Sequence, residues 1–160
     1  MRHLWRLYYH LIWATKERQP FITAEIESEL YGYIAGKVEM MDGITYAIGG
    51  IEDHIHLIVT IAPKISIGEF VRNIKGSSTH YVNFELGKLL ATQFSWQRGY
   101  GVFSLGGKQL TEAVEYVKNQ KLHHQRGSLK AMLEQTIEEE DAVSLRVNSQ
   151  AKQQNSTEVD

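Results

Sequence analysis

The sequence predicts an α+β domain built on an antiparallel sheet. Three observations carry the prediction. A run of aromatic and branched residues opens the chain, two strand-like runs near the middle are separated by a single turn residue, and segments with helical apolar spacing follow the first and third strand-like runs.

The first strand is read over Arg2–Thr15, "RHLWRLYYHLIWAT", where aromatic and branched residues dominate. Pro20 ends the connection, and Thr23 is placed as N-cap of a helix whose stripe is Ile26, Leu30, Ile34, Val38 and Met41. A second strand covers Ile44–Glu52, in which the Gly49-Gly50 pair signals a bulge or a close backbone approach. Asp53 turns the chain into a third strand, His54–Ala62. Ser66 and Glu69 have capping-box spacing, opening a second helix with Ile67, Phe70, Val71 and Ile74 inward. Phe94–Gly107 is short strand-like material punctuated by glycine. A third helix is read from Lys108 to about His124 and a fourth over Gly127–Glu140, while Asn148–Asp160 has the polar composition of a disordered segment. The order β-α-β-β-α-β is that of a ferredoxin-like (RRM-like) sheet with helices on one face and the other face open. A single domain is expected over residues 1–145, with a polar tail over 146–160.

Length and composition fit this reading. A chain of 160 residues can bury a core without staples, and the absence of cysteine excludes disulfides, thiolate nucleophiles and cysteine-ligated zinc. No apolar run is long enough to span a bilayer, and the N-terminus lacks a signal-peptide pattern, so a cytoplasmic location is expected. The net charge of −2 conceals a segregation: residues 64–130 hold ten Lys/Arg against four Asp/Glu, and residues 131–160 hold two against seven. A phosphate-binding surface needs local positive charge, whatever the whole-chain balance.

The stretch "EDHIHLIV" (Glu52–Val59) raises the question of chemistry. Side chains alternate along a strand, so Ile55, Leu57, Val59 and Ile61 share the core face, while His54 and His56 share the other, about 7 Å apart at the backbone. Two imidazoles at that spacing can converge on one cation, or can simply populate a polar strand face. On the third helix Leu110, Val114 and Val117 form the apolar stripe; Tyr116 and Gln120 are four apart on a neighbouring face, with His123 further along. Tyrosine at a core boundary and glutamine on a helix surface are also ordinary choices.

Taken in order, "DHIHLIV", "VRNIKGSS", "WQRGYGVFSLGG" and "YVKNQKLHH" resemble the single-tyrosine transposases of the HUH superfamily, close to the REP-associated tyrosine transposases, and "YYHLIWATKERQPFIT" is similar to the family's first strand and loop. The resemblance covers roughly residues 3–140. It implies an enzyme that cleaves and rejoins single-stranded DNA at hairpin-bearing element ends. His54, His56 and Gln120 would be metal ligands for Mg²⁺ or Mn²⁺, and Tyr116, on a C-terminal helix, would be the nucleophile forming a 5′-phosphotyrosine. It also implies a homodimer in which the tyrosine helix of one subunit completes the histidine site of the other.

Such a step keeps the energy of the broken phosphodiester in a covalent bond, so no nucleotide cofactor is required. Along the DNA the sequence suggests Arg72, Lys75, Arg98, Lys118, Lys121 and Arg126, with Tyr100 and Trp96 as stacking platforms. Gly106-Gly107 would serve as a hinge, or as a permissive loop. Tyr8, Tyr9 and Tyr100 are rival nucleophiles that lack a glutamine one helical turn away. The other class of reading is a domain of the same fold that grips structured nucleic acid without chemistry, though the third strand carries histidines where RNA-binding sheets of this type carry aromatics.

Overall fold

The computed structural model describes residues 3–127. Four strands, β1 (Tyr8–Ala14), β2 (Thr45–Ile51), β3 (His54–Thr60) and β4 (Gly101–Leu105), form one antiparallel sheet in the order β2-β3-β1-β4. Helices α1 (Ala24–Met40) and α2 (Ile67–Glu85) are the crossovers, and α3 (Leu110–Lys118) and α4 (Gln120–Arg126) follow the sheet. This is the ferredoxin-like α+β order that the sequence predicts. The expected fourth helix and polar tail lie outside the described residues, apart from Gly127, which ends α4 in the left-handed conformation usual for a glycine there.

The main core fills the face toward α1 and α2. Leu11 and Trp13 of β1 and Ile55, Leu57 and Val59 of β3 meet Ile26, Leu30, Ile34 and Val38 of α1 and Phe70, Val71, Ile74 and Val82 of α2. The strand alternation and the stripe Ile26, Leu30, Ile34 and Val38 are those read from the sequence, whereas Met41, placed in the same stripe, is the C-cap of α1 and only partly buried. Ser66 caps α2 by accepting from the Glu69 backbone N–H at 3.1 Å. Thr23 occupies the N-cap position of α1 without a side-chain capping bond. Strand β1 begins at Tyr8, later than Arg2, because β3 runs out opposite Tyr8 at Thr60 and β4 at Leu105.

The other sheet face is not open. Ala47 and Ile58 pack with Tyr116 and Val117 of α3 in a second, smaller cluster. Gly49 makes this docking possible: a Cβ there would lie 1.9 Å from the Val117 carbonyl oxygen. The close-approach reading of the Gly49-Gly50 pair holds, and the register shift of β2 falls instead between Thr45 and Ala47. The expectation of one continuous helix to His124 is corrected. Asn119 leaves helical geometry (φ −102°, ψ 21°), and its side-chain amide donates to the Glu115 carbonyl at 2.9 Å, competing with the helix for its own backbone.

On α1, the Tyr31 hydroxyl is buried with no hydrogen-bond partner among the described residues, and burial, then the charge of Glu27, raises its pKa well above the usual phenol range. From about pH 10, the ordinary phenol pKa, upward, the unfolded chain sheds this proton while the folded chain keeps it, so folding stability falls as pH rises. Tyr31→Phe removes both the unpaired hydroxyl and the titration. It is expected to keep or slightly raise stability at pH 7, and to lose less than wild type between pH 9.5 and 11 in urea unfolding. An equal or steeper alkaline loss in the variant would contradict the assignment.

Candidate active site

Strand alternation puts His54 and His56 on the sheet face under α3 and α4. They are buried there, at 1% and 0% exposure, rather than displayed on an open face. Tyr116, 4% exposed, has its ring centroid 6.0 Å from that of His56. The break at Asn119 redirects the chain so that Gln120, first residue of α4, is also buried. Its Oε1 lies 3.2 Å from His124 Nε2, and the His124 ring stands 5.0 Å from that of His54. His123 stacks on Tyr116 at 4.8 Å. The four residues singled out in the sequence therefore converge, and they do so within one chain.

Each prospective ligand is held by a neighbour the sequence reading did not single out. Asp53 Oδ1 sits 2.6 Å from His54 Nδ1. Arg18 Nη1 is 3.4 Å from the same nitrogen, but one ring nitrogen cannot donate to a carboxylate and accept from a guanidinium together. The shorter, charge-matched Asp53 contact prevails, and Arg18 pairs with the Asp53 carboxylate itself at 3.6 Å. The hydrogen bond from His54, aided by the charges of His54, Arg18 and His124, outweighs burial and holds the Asp53 carboxyl below its ordinary pKa. The Asp53 carbonyl accepts from the Thr15 N–H at 2.8 Å, latching the turn to the end of β1, while the Thr15 hydroxyl donates to the Gln19 carbonyl at 2.6 Å. His56 Nδ1 is 2.8 Å from Nε2 of His10, itself fully buried on β1. Strand alternation carried the signal for His10: a first strand pairing antiparallel with the third sets it on the same face as His54 and His56.

The donor set fits a divalent cation. With Nδ1 of both histidines engaged, ligation falls to the two Nε2 atoms. Gln120 Oε1 has two lone pairs, so it can accept from His124 and still coordinate. No cluster of three His, Cys, Asp or Glu side chains among the described residues is placed to hold a metal. Three neutral donors, two of them imidazoles, suit Mn²⁺ better than Mg²⁺ and leave room for an anionic phosphate oxygen. Because His56 is buried, its truncation would open a cavity and take away the His10 partner.

The residues expected along the DNA divide into two groups. Arg72, Arg98, Lys118 and Arg126 are exposed. Lys75 donates to the carbonyls of Gln97 (2.6 Å) and Gly99 (2.9 Å), so its charge shapes the loop that carries Arg98. Lys121 pairs with Glu27 of α1 at 2.6 Å. Trp96 is a core residue whose indole N–H donates to Ser78 Oγ at 2.9 Å, and Tyr100 packs partly buried against the same core, so neither is an open stacking platform. Of the rival tyrosines, Tyr9 packs on the main core and Tyr8 contacts Tyr46 edge-on.

Comparison with known proteins identifies the family. Residues 3–120 match the family described as "Transposase IS200 like". The transposase for insertion sequence element IS200 of Salmonella typhimurium is 27% identical over 119 residues, spanning 72% of this chain and 78% of that protein. The ISDra2 transposase TnpA of Deinococcus radiodurans is 25% identical over 122 residues, 74% of this chain and 86% of its own. Among solved structures, a Deinococcus radiodurans protein described as a transposase superposes with a TM-score of 0.60 at 25% identity, covering 74% of this chain and 93% of that one. A REP-associated tyrosine transposase solved bound to a REP hairpin shares the fold at a TM-score of 0.55 and 17% identity, covering 78% and 74%. With most of its length matched, this chain belongs to the IS200-like transposase family.

Proposed function

We propose that this transposase cleaves and rejoins single-stranded DNA through a covalent bond to Tyr116. The observation that carries the reading is the convergence of Tyr116, His56, His54 and Gln120 in one buried site. The Tyr116 oxygen attacks the scissile phosphorus in line, the phosphorus–oxygen bond to the 3′ side breaks, and the phenolic proton ends on the departing 3′-hydroxyl. The strand downstream of the break stays on Tyr116 through its 5′-phosphate as a phosphodiester, and attack by a 3′-hydroxyl reverses the step. His54, His56 and Gln120 would hold Mg²⁺ or Mn²⁺, which when bound supplies Lewis-acid polarisation of a non-bridging oxygen. Asp53, His10 and His124 keep the three donors oriented. Arg98, Lys118 and Arg72 are exposed cations suited to the phosphate backbone. Hairpin-bearing ends as substrate are supported by the hairpin ligand of the fold relative, and a paired duplex could not present such a fold.

The family resemblance implies a homodimer with shared sites. The contact of Tyr116 with His56 of the same chain supports a site complete within one chain. Mixing Tyr116→Phe with His56→Ala protein under conditions where subunits exchange decides between them: recovered cleavage means the subunits share sites, and none, with both variants still folded, means each chain works alone.

The proposal is tested with labelled oligonucleotides from the ends of the protein's own element. Cleavage is expected of the folded single strand, with the matching duplex cut at least ~10-fold more slowly, a barrier of about 1.4 kcal/mol or more. Chelation should abolish it and Mn²⁺ restore it. Cleavage undiminished in chelator would contradict the metal reading. Tight binding with no cleavage under any divalent metal would favour a binding module.

A further inference from the structure

We infer that His10 is a positioning residue that sets which nitrogen of His56 can act as a ligand; the inference rests on the metal reading proposed above. His10 Nε2 and His56 Nδ1 are 2.8 Å apart, both residues are fully buried, and the rings are tilted at 48° with centroids 5.1 Å apart. Between two neutral imidazoles at that distance one proton is shared, so one ring donates and the other accepts. If His10 donated, His56 would carry its own proton on Nε2 and could not ligate through that atom. If His56 donates from Nδ1, its Nε2 holds the lone pair and His10 carries its proton on Nδ1. Only the second arrangement makes His56 a ligand on the same nitrogen as His54.

The pairing has a structural origin in the sheet. Strands β1 and β3 are antiparallel neighbours, and Ile12 is the register partner of His56. His10 stands one same-face position along β1 from Ile12, diagonal to His56, at a spacing long side chains can bridge. Phe103 of β4, the register partner of His10, sets its ring edge-on against the imidazole at 6.2 Å and limits where that ring can turn. The two ligands are thereby unequal. His54 leans on a carboxylate, which raises imidazole basicity, while His56 leans on a neutral ring, which as acceptor keeps the His56 proton on Nδ1 and adds less basicity. Outer partners of this kind are worth about 10- to 100-fold in metal affinity.

Nitrogen-15-labelled, metal-free protein gives the first test, since long-range proton–nitrogen correlation spectra report which ring nitrogen of each histidine is protonated. The wild type should show His56 protonated on Nδ1 and His10 on Nδ1; His56 protonated on Nε2 would overturn the inference without recourse to any variant. The second test is Mn²⁺ titration followed by electron paramagnetic resonance, with single-stranded DNA bound and a Tyr116→Phe background to prevent turnover. His10→Phe should weaken Mn²⁺ binding about 10- to 100-fold, whereas His10→Gln, whose amide oxygen can accept from Nδ1, should recover most of it. Equal affinity in His10→Phe and wild type would also overturn the inference. No Mn²⁺ binding by wild type, with His56 still protonated on Nδ1, would sink the metal reading and leave the tautomer assignment standing.

Discussion

Gly49→Ala is expected to reduce DNA cleavage about 100-fold or more while leaving the main core folded, because an ångström of misplacement at a reacting group can cost that much. The added methyl would sit 1.9 Å from the Val117 carbonyl oxygen and 2.9 Å from its carbon, where ordinary contact begins at 3.4 Å. The obstruction is backbone, so no rotamer relieves it, and α3 must lift from the sheet. Val117 adjoins Tyr116, and Gly49 is the register partner of His56, so the lift separates the tyrosine from the histidine. The larger core lies on the opposite sheet face, and the stability loss should be the about 1–3 kcal/mol typical of overpacking. Gly36→Ala is the control, since an added methyl there meets nothing within 4 Å; it should leave cleavage unchanged. Cleavage by Gly49→Ala at the wild-type rate would show that the docking of α3 on its own sheet does not set the reacting geometry.

The parts of this fold that were legible in the sequence are those governed by local periodicity. The stripe from Ile26 to Val38 and the alternation from Ile55 to Val59 each point one way only, and Ser66–Glu69 has a spacing with one common use. What periodicity could not show is what covers a face. The polar look of His54 and His56 suggested an open surface, yet Tyr116 and Gln120 close over them once Asn119 turns the chain. The same limit explains Trp96 and Lys75. An indole that finds Ser78 and an ammonium that finds two loop carbonyls are indistinguishable, in sequence, from a stacking platform and a phosphate contact. The positions of Tyr116 and Gln120 came from the family resemblance, since a four-residue spacing alone is common on helices. His10 was within reach: alternation on β1, with the strand order already in hand, puts it beside the histidine pair.

Tyr116→Phe is expected to abolish strand cleavage while keeping DNA binding near the wild-type level. It removes one hydroxyl and leaves the ring that packs against His56 and His123, so the cluster under α3 keeps its shape. A general electrostatic or metal role for this site would leave residual turnover, whereas loss of the attacking atom leaves no route to the covalent intermediate. The most direct measurement is therefore to incubate the protein with Mn²⁺ and a 3′-end-labelled single strand from its own element, denature the mixture, and look for label that stays on the protein. The adduct should carry the fragment downstream of the break, joined through its 5′-phosphate, map to a peptide containing Tyr116, and vanish in Tyr116→Phe. An adduct that persists in Tyr116→Phe, or that maps to Tyr8, Tyr9 or Tyr100, would contradict the assignment of Tyr116 as the nucleophile.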